Sequence, residues 1–161
     1  MRATIARALV LACLAGACRP KAVVVDPHPV QPMKILRHAN GLELRVPDGV
    51  YEVRQTPAGF RISPLGSAQT RTPVEVIVDL RAGRVPAGTF AETKLVRGRP
   101  FHFRVDVEAG GSGGDEHVLR AFSEAGTRHV WLEQGMAIEA PAKPNFTAAW
   151  QIIEGLEAPA P

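Results

Sequence analysis

The chain has 161 residues, 45% hydrophobic and 22% charged, which excludes a multidomain enzyme, a coiled coil and a wholly disordered chain. Fifteen Gly and 14 Pro favour many turns and few long helices. The formal charge of +3 falls to +1 when Arg2 and Arg7 leave with the first segment, 17 basic residues then facing 16 acidic ones, and no stripe of Lys and Arg interleaves with aromatics, so no nucleic acid is expected as a partner.

Residues 1–17 have the three parts of a secretory signal. Arg2 and Arg7 make a positive start, Ala8 to Ala17 is an apolar run, and Ala15, Gly16 and Ala17 are small enough for a signal peptidase. Ten apolar residues rise about 15 Å as a helix, half of a hydrocarbon core of roughly 30 Å, so the run reads as a signal and not as a span. Leu14-Ala15-Gly16-Ala17-Cys18 resembles the lipobox of bacterial lipoproteins, with Leu one place further from the Cys than that family prefers. The resemblance implies that Cys18 becomes the acylated first residue. The cysteine count agrees: Cys13 leaves with the signal, and Cys18 is then a lone thiol in an oxidising compartment, a liability that acylation removes. By resemblance to lipoprotein sorting, Arg19 in place of Asp implies the outer membrane. The lipid is the only membrane attachment expected.

Residues 18–32 carry Pro20, Pro27, Pro29 and Pro32, which exclude a helix or a central strand. They read as an extended tether reaching up to about 40 Å. The folded domain is expected over 33–157, with 158–161 as a tail. Asn40-Gly41 between Lys34–His38 and Leu42–Val46 signals a hairpin, and Leu42, Leu44 and Val46 alternate with Glu43 and Arg45. Short strands follow at Tyr51–Gln55 and Phe60–Ser63. Val74–Leu80 puts four aliphatic residues on one face. Phe90–Val96 is a further strand, and 101–108 follows with Phe101, Phe103, Val105 and Val107 in, and His102, Arg104, Asp106 and Glu108 out. Ala109–Gly114 is a Gly-rich loop. Glu116–Ser123 and His129–Gln134 close the strand series.

The period then changes. Phe146, Ala149, Trp150, Ile153 and Leu156 form a helical stripe, with Asn145 placed to cap its start and Pro159 to stop it. Strands followed by a helix of about three turns imply an α+β fold: an antiparallel β-sheet with a C-terminal helix packed on one face.

Four segments, in order and behind a lipobox, resemble one group of proteins. They are His38-Ala39-Asn40-Gly41-Leu42, Gln55-Thr56-Pro57-Ala58-Gly59-Phe60, Gly110-Gly111-Ser112-Gly113-Gly114-Asp115-Glu116, and Pro144-Asn145-Phe146 with Trp150. The group is the type VI secretion immunity lipoproteins, periplasmic inhibitors of muramidase effectors. The resemblance implies a Mog1/PsbP-like sandwich. It also implies binding and blocking of a secreted toxin, with no catalysis and no cofactor.

Several residues invite chemistry. Gly110 to Gly114 matches G-x-S-x-G, but a strand-like segment and not a helix follows, and four glycines hold Ser112 too loosely for a nucleophile. The same loop lacks the Lys-Ser/Thr of a phosphate cradle. A small-residue loop suits a narrow cleft instead, so Gly111, Ser112 and Gly113, with Asp115 and Glu116 beside them, are the candidate partner-binding residues. His102, His117 and His129 fall on three strands as a conceivable zinc set, and Asp106, Glu108, Asp115 and Glu116 as a conceivable calcium set; neither has ligand spacing. Trp131 and Trp150 read as core residues. Two other readings stay open: an envelope lipoprotein binding a cell-wall, lipid or protein ligand, and a small hydrolase using Ser112.

Overall fold

In the computed structural model the described residues are 31–67, 74–86, 88–109, 114–138 and 142–159. The signal, Cys18 and the tether up to residue 30 therefore lie outside them, as do Gly111, Ser112 and Gly113. Ten strands and one helix follow in order: β1 (Met33–Arg37), β2 (Glu43–Pro47), β3 (Tyr51–Gln55), β4 (Gly59–Pro64), β5 (Val76–Ala82), β6 (Glu92–Val96), β7 (Arg99–Ala109), β8 (Asp115–Ala125), β9 (Arg128–Ile138), α1 (Thr147–Glu154) and β10 (Leu156–Glu157). Every strand pair is antiparallel. One sheet has the order β1-β2-β10. The other runs β3-β4-β5-β9-β8-β7-β6.

The core lies between the two sheets. Alternation puts Leu44 and Val46 of β2 on the inner face of the small sheet. Facing them on the large sheet are Phe60 and Ile62 of β4, Val76 and Val78 of β5, Leu119 and Ala121 of β8, and Val130 and Leu132 of β9, all buried. Helix α1 fills the rest, with Ala149, Ile152 and Ile153 turned inward.

The fold is mostly β, and the α+β expectation, with its Mog1/PsbP-like sandwich, is corrected on that ground. The sheet's inner face is covered by a second sheet, and α1 has only eight residues. The sequence stripe misled because its last member leaves the helix. At Gly155 the chain comes so close to β2 that an added Cβ would sit 1.9 Å from the Arg45 carbonyl oxygen. The Arg45 N–H donates to the Gly155 carbonyl at 2.8 Å, and Leu156 then pairs opposite Leu44 as part of β10. Leu156 is thus buried as a strand residue. Asn145 sits one place before the helix cap, where its Oδ1 accepts from the Thr147 N–H at 3.0 Å.

Asn40-Gly41 does not form a two-residue turn. Arg37 pairs with Glu43, so residues 38–42 make a longer connection, with Gly41 at φ +96°. Phe90 precedes β6 instead of opening it. The other strands form where alternation put them, with shifted ends.

Candidate functional site

Three of the four resembling segments turn out to be joints. Asn40 donates its backbone N–H to Nδ1 of His38 at 3.1 Å, so Nε2 carries the ring proton and donates to the Thr56 carbonyl at 2.7 Å. The Asn40 amide donates to the Ala58 carbonyl at 2.8 Å and accepts from the Leu42 N–H at 3.1 Å. Arg128 reaches in from β9 to the Asn40 carbonyl at 3.3 Å. Segment 38–42 is therefore clasped to segment 55–60, and the small sheet to the large one. Gly59 is needed there because a Cβ would lie 2.0 Å from the Val78 carbonyl oxygen. The Pro144–Phe146 segment seats the helix: Phe146 is buried, and Trp150 meets Phe103 edge-on at 5.3 Å.

The fourth segment stands apart from these joints. β7, β8 and β9 each run 11 residues, more than twice the length of β1 or β2. On β7 the inner-face cover ends past Phe103: Val105 is 39% and Val107 60% exposed, which corrects the expectation that both face the core, while Leu119 and Gln134 in the row of Val105 are still buried. Beyond that row the three strands form an arm. Ala109 opposite Asp115 is the last described pair of β7 and β8. Asp115 and Glu116 begin β8 there, both exposed. Glu116 is opposite Glu108 and lies over Gly135, where an added Cβ would sit 2.9 Å from its Oε1.

The outer face of the arm is tied by charge. Arg120 Nη1 donates to Asp106 at 2.6 Å and Nη2 to Glu108 at 3.1 Å, while Nε lies 3.5 Å from Glu133. Arg104 adds a bond to Asp106 at 3.1 Å, and the Trp131 indole donates to Glu133 at 3.3 Å. Partial burial works against the Arg120 charge, but the three carboxylates outweigh it and hold the guanidinium above its ordinary range. One side chain thus cross-links β7, β8 and β9 and stiffens the arm. Asp106 and Glu108 are engaged by arginines and not arranged as calcium ligands. No group of three or more His, Cys, Asp or Glu placed to hold a metal occurs among the described residues.

The three histidines do not converge. Register puts His102 and His129 on the outer face and His117 on the inner one. His129 is buried, with Nδ1 2.9 Å from the Gly83 carbonyl. It belongs to an outer aromatic layer that the sequence reading missed. There Phe90 packs on Phe122 at 5.1 Å and on Trp131 at 5.9 Å, Arg81 covers Trp131 at 4.4 Å, and Arg104 covers Phe90 at 5.1 Å. Trp131 is therefore half-buried on the outer face, not in the main core. The signal was present in the alternation: Phe122, Trp131 and His129 share the parity of charged neighbours. Trp150 packs against the core as expected, with Lys94 over its ring at 4.5 Å.

The family model described as the type six secretion immunity 3 domain matches residues 43–157, from the first residue of β2 to the last of β10. The chain is 31% identical over 121 residues to the immune protein Tsi3 of Pseudomonas aeruginosa, covering 75% of this chain and 79% of that protein. With a family model matching well over half of its length, the chain belongs to the type six secretion immunity 3 family.

Proposed function

We propose that this chain is a lipid-anchored self-protection protein of the periplasm that binds a type VI-secreted, muramidase-type effector and blocks it. Family membership supports an immunity role, and hence an inhibitor in place of an enzyme. The muramidase class of the target comes from the likeness of the four segments. The anchor at Cys18 and the outer-membrane address come from the lipobox and Arg19.

The observation that carries the site is the contrast among those segments. Three hold the fold together, and the described end of the fourth, Asp115 and Glu116, lies exposed at the start of β8, beside the stretch of β7 that outruns its cover. We place the partner-binding residues there: Gly111, Ser112 and Gly113 in the loop, with Asp115 and Glu116 at its exit. Small residues enter a narrow cleft, and the two carboxylates compete for cationic groups inside it. The stiff Arg120 base lowers the ordering cost of binding.

Contact-dependent competition on a solid surface tests this reading. A strain lacking the gene is mixed with its toxin-secreting parent, with and without the gene restored. Lysis of the mutant, rescued by the gene, is the expected result. Equal survival with type VI secretion active would contradict it and favour the envelope binding module.

A further inference from the structure

β6 pairs with β7 only from Arg99 to Phe103, so β7 beyond Phe103 is an outer edge of the seven-stranded sheet. The side of that edge which faces outward can be worked out. Arg97 and Gly98, at φ +50° and +80°, make a two-residue turn, and Val96 and Arg99 flanking it form a hydrogen-bonded pair. Alternation then directs the backbone N–H and C=O of Phe101 and Phe103 at β6. It directs those of His102, Arg104, Asp106 and Glu108 at β8. The second turn, Gly126-Thr127, fixes the same alternation from the other side through β9 and β8. Val105 and Val107 therefore aim their backbone groups at the open edge, and no strand among the described residues pairs with them there.

These are the same two residues whose apolar side chains are left bare on the inner face. Natural sheets protect such an edge with a lysine, a proline, a bulge or a cover. Here free main-chain groups and uncovered valines coincide, the arrangement that accepts an added strand.

We propose that the β7 edge at Val105 and Val107 takes up an extended segment of the secreted effector by main-chain pairing, an inference that rests on the immunity reading. Charge describes the segment. On the outer side of the same edge stand Arg104, Asp106 and Glu108, with Glu116, Arg120 and Glu133 across the neighbouring strands, four acids against two arginines. The incoming strand alternates apolar residues against the valines with basic residues against the acids. A second copy of this chain fits poorly. Its β7 runs to Ala109 and must clear Glu92, which holds the place opposite Phe103. The first antiparallel register that clears it sets Val107 against Val107, and Asp106 against Glu108 of the other copy, twice. Like charges directly opposite disfavour that pair.

The test uses a purified, catalytically inactivated muramidase-type type VI effector secreted by the same strain. Val107→Pro removes an N–H that the fold itself does not use. It should weaken binding by about tenfold, the loss of one main-chain hydrogen bond together with the crowding of the proline ring against the incoming strand, with the melting temperature little changed. Val107→Thr, which keeps the N–H, should weaken it less. Independently of any variant, the amides of Val105 and Val107 should exchange quickly in the free protein and slow markedly in the complex. Unchanged affinity of folded Val107→Pro, or fast exchange of both amides in a saturated complex, overturns the inference and leaves the immunity reading standing. Failure of the wild-type chain to bind an effector of this class sinks the immunity reading itself, and the inference with it.

Discussion

Phe60 and Val107 belong to the same seven-stranded sheet and the same inner face, yet they live in different surroundings. Around Phe60 the small sheet and the His38–Asn40 clasp close over the strand, and the ring is fully buried with His38 edge-on at 5.5 Å. Around Val107 nothing described closes over the strand, and the polar side of the sheet is tied by one arginine. The base of the sandwich has what stability needs: buried area, satisfied backbone groups and close approaches at Gly59 and Gly155 that only glycine permits. The arm has what binding needs, namely stiffness without cover. One strand serves both ends because the sheet continues where its covering sheet stops.

If this division is right, changes in the base move stability and changes in the arm move affinity. The largest effect is expected at the centre of the base. Phe60→Ala should cost about 3–5 kcal/mol, read as a fall in the urea midpoint, and should leave little folded protein at 37 °C. A cost below about 1 kcal/mol would mean that the sheets are not packed as described. Asn40→Ala comes next. It leaves the Leu42 N–H without its acceptor and removes one of the donors to Ala58, at a cost of about 1–2 kcal/mol in the same measurement.

A change of opposite sign is expected at Gln134. It is buried on the inner face, opposite Leu119 and Val76, and neither side-chain polar atom has a hydrogen-bond partner. Gln134→Met keeps the volume and removes the unpaired groups, so it should stabilise by about 1 kcal/mol. A loss of stability would show that a bound water satisfies the amide.

The smallest effect concerns acid. Arg37 and Arg45 hydrogen-bond Glu43, outweigh its slight desolvation and hold its carboxyl below the usual range. A carboxyl whose folded value is depressed stabilises above its unfolded value, and that contribution is lost as pH falls through the folded one. Glu43→Gln should therefore flatten the acid side of the stability profile and leave it unchanged near neutrality apart from a constant offset. A profile of unchanged slope would show the ion pairs to be without consequence in solution.

Much of the base was legible in the sequence. Alternation at Leu44–Val46 and Val76–Leu80 gave the inward faces, because a period of two is a local property. The second sheet was not legible, since it depends on Leu156 crossing to β2, a contact across more than 100 residues that a helical stripe conceals. The arm was half legible. Of the segment 110–116, Asp115 and Glu116 are found exposed at the start of β8. Alternation also placed Val105 and Val107 on the inner face correctly. It could not show that the cover over β7 ends at Phe103, because where a second layer stops is set by the length of other strands. The order of the four resembling segments indicated the family, but only the hydrogen bonds of 38–42 and 55–60 and the packing of 144–150 show these three to be joints.

The measurement that tests the division most directly pairs melting temperature with affinity for the neutralised effector on two variants. Asp115→Asn combined with Glu116→Gln should weaken binding clearly and shift the melting temperature little, since both side chains are exposed. Asn40→Ala should lower the melting temperature and, measured well below it, bind as the wild type does. The reverse pattern, with affinity lost at the clasp and kept at the tip, would contradict the account and move the binding surface to the base.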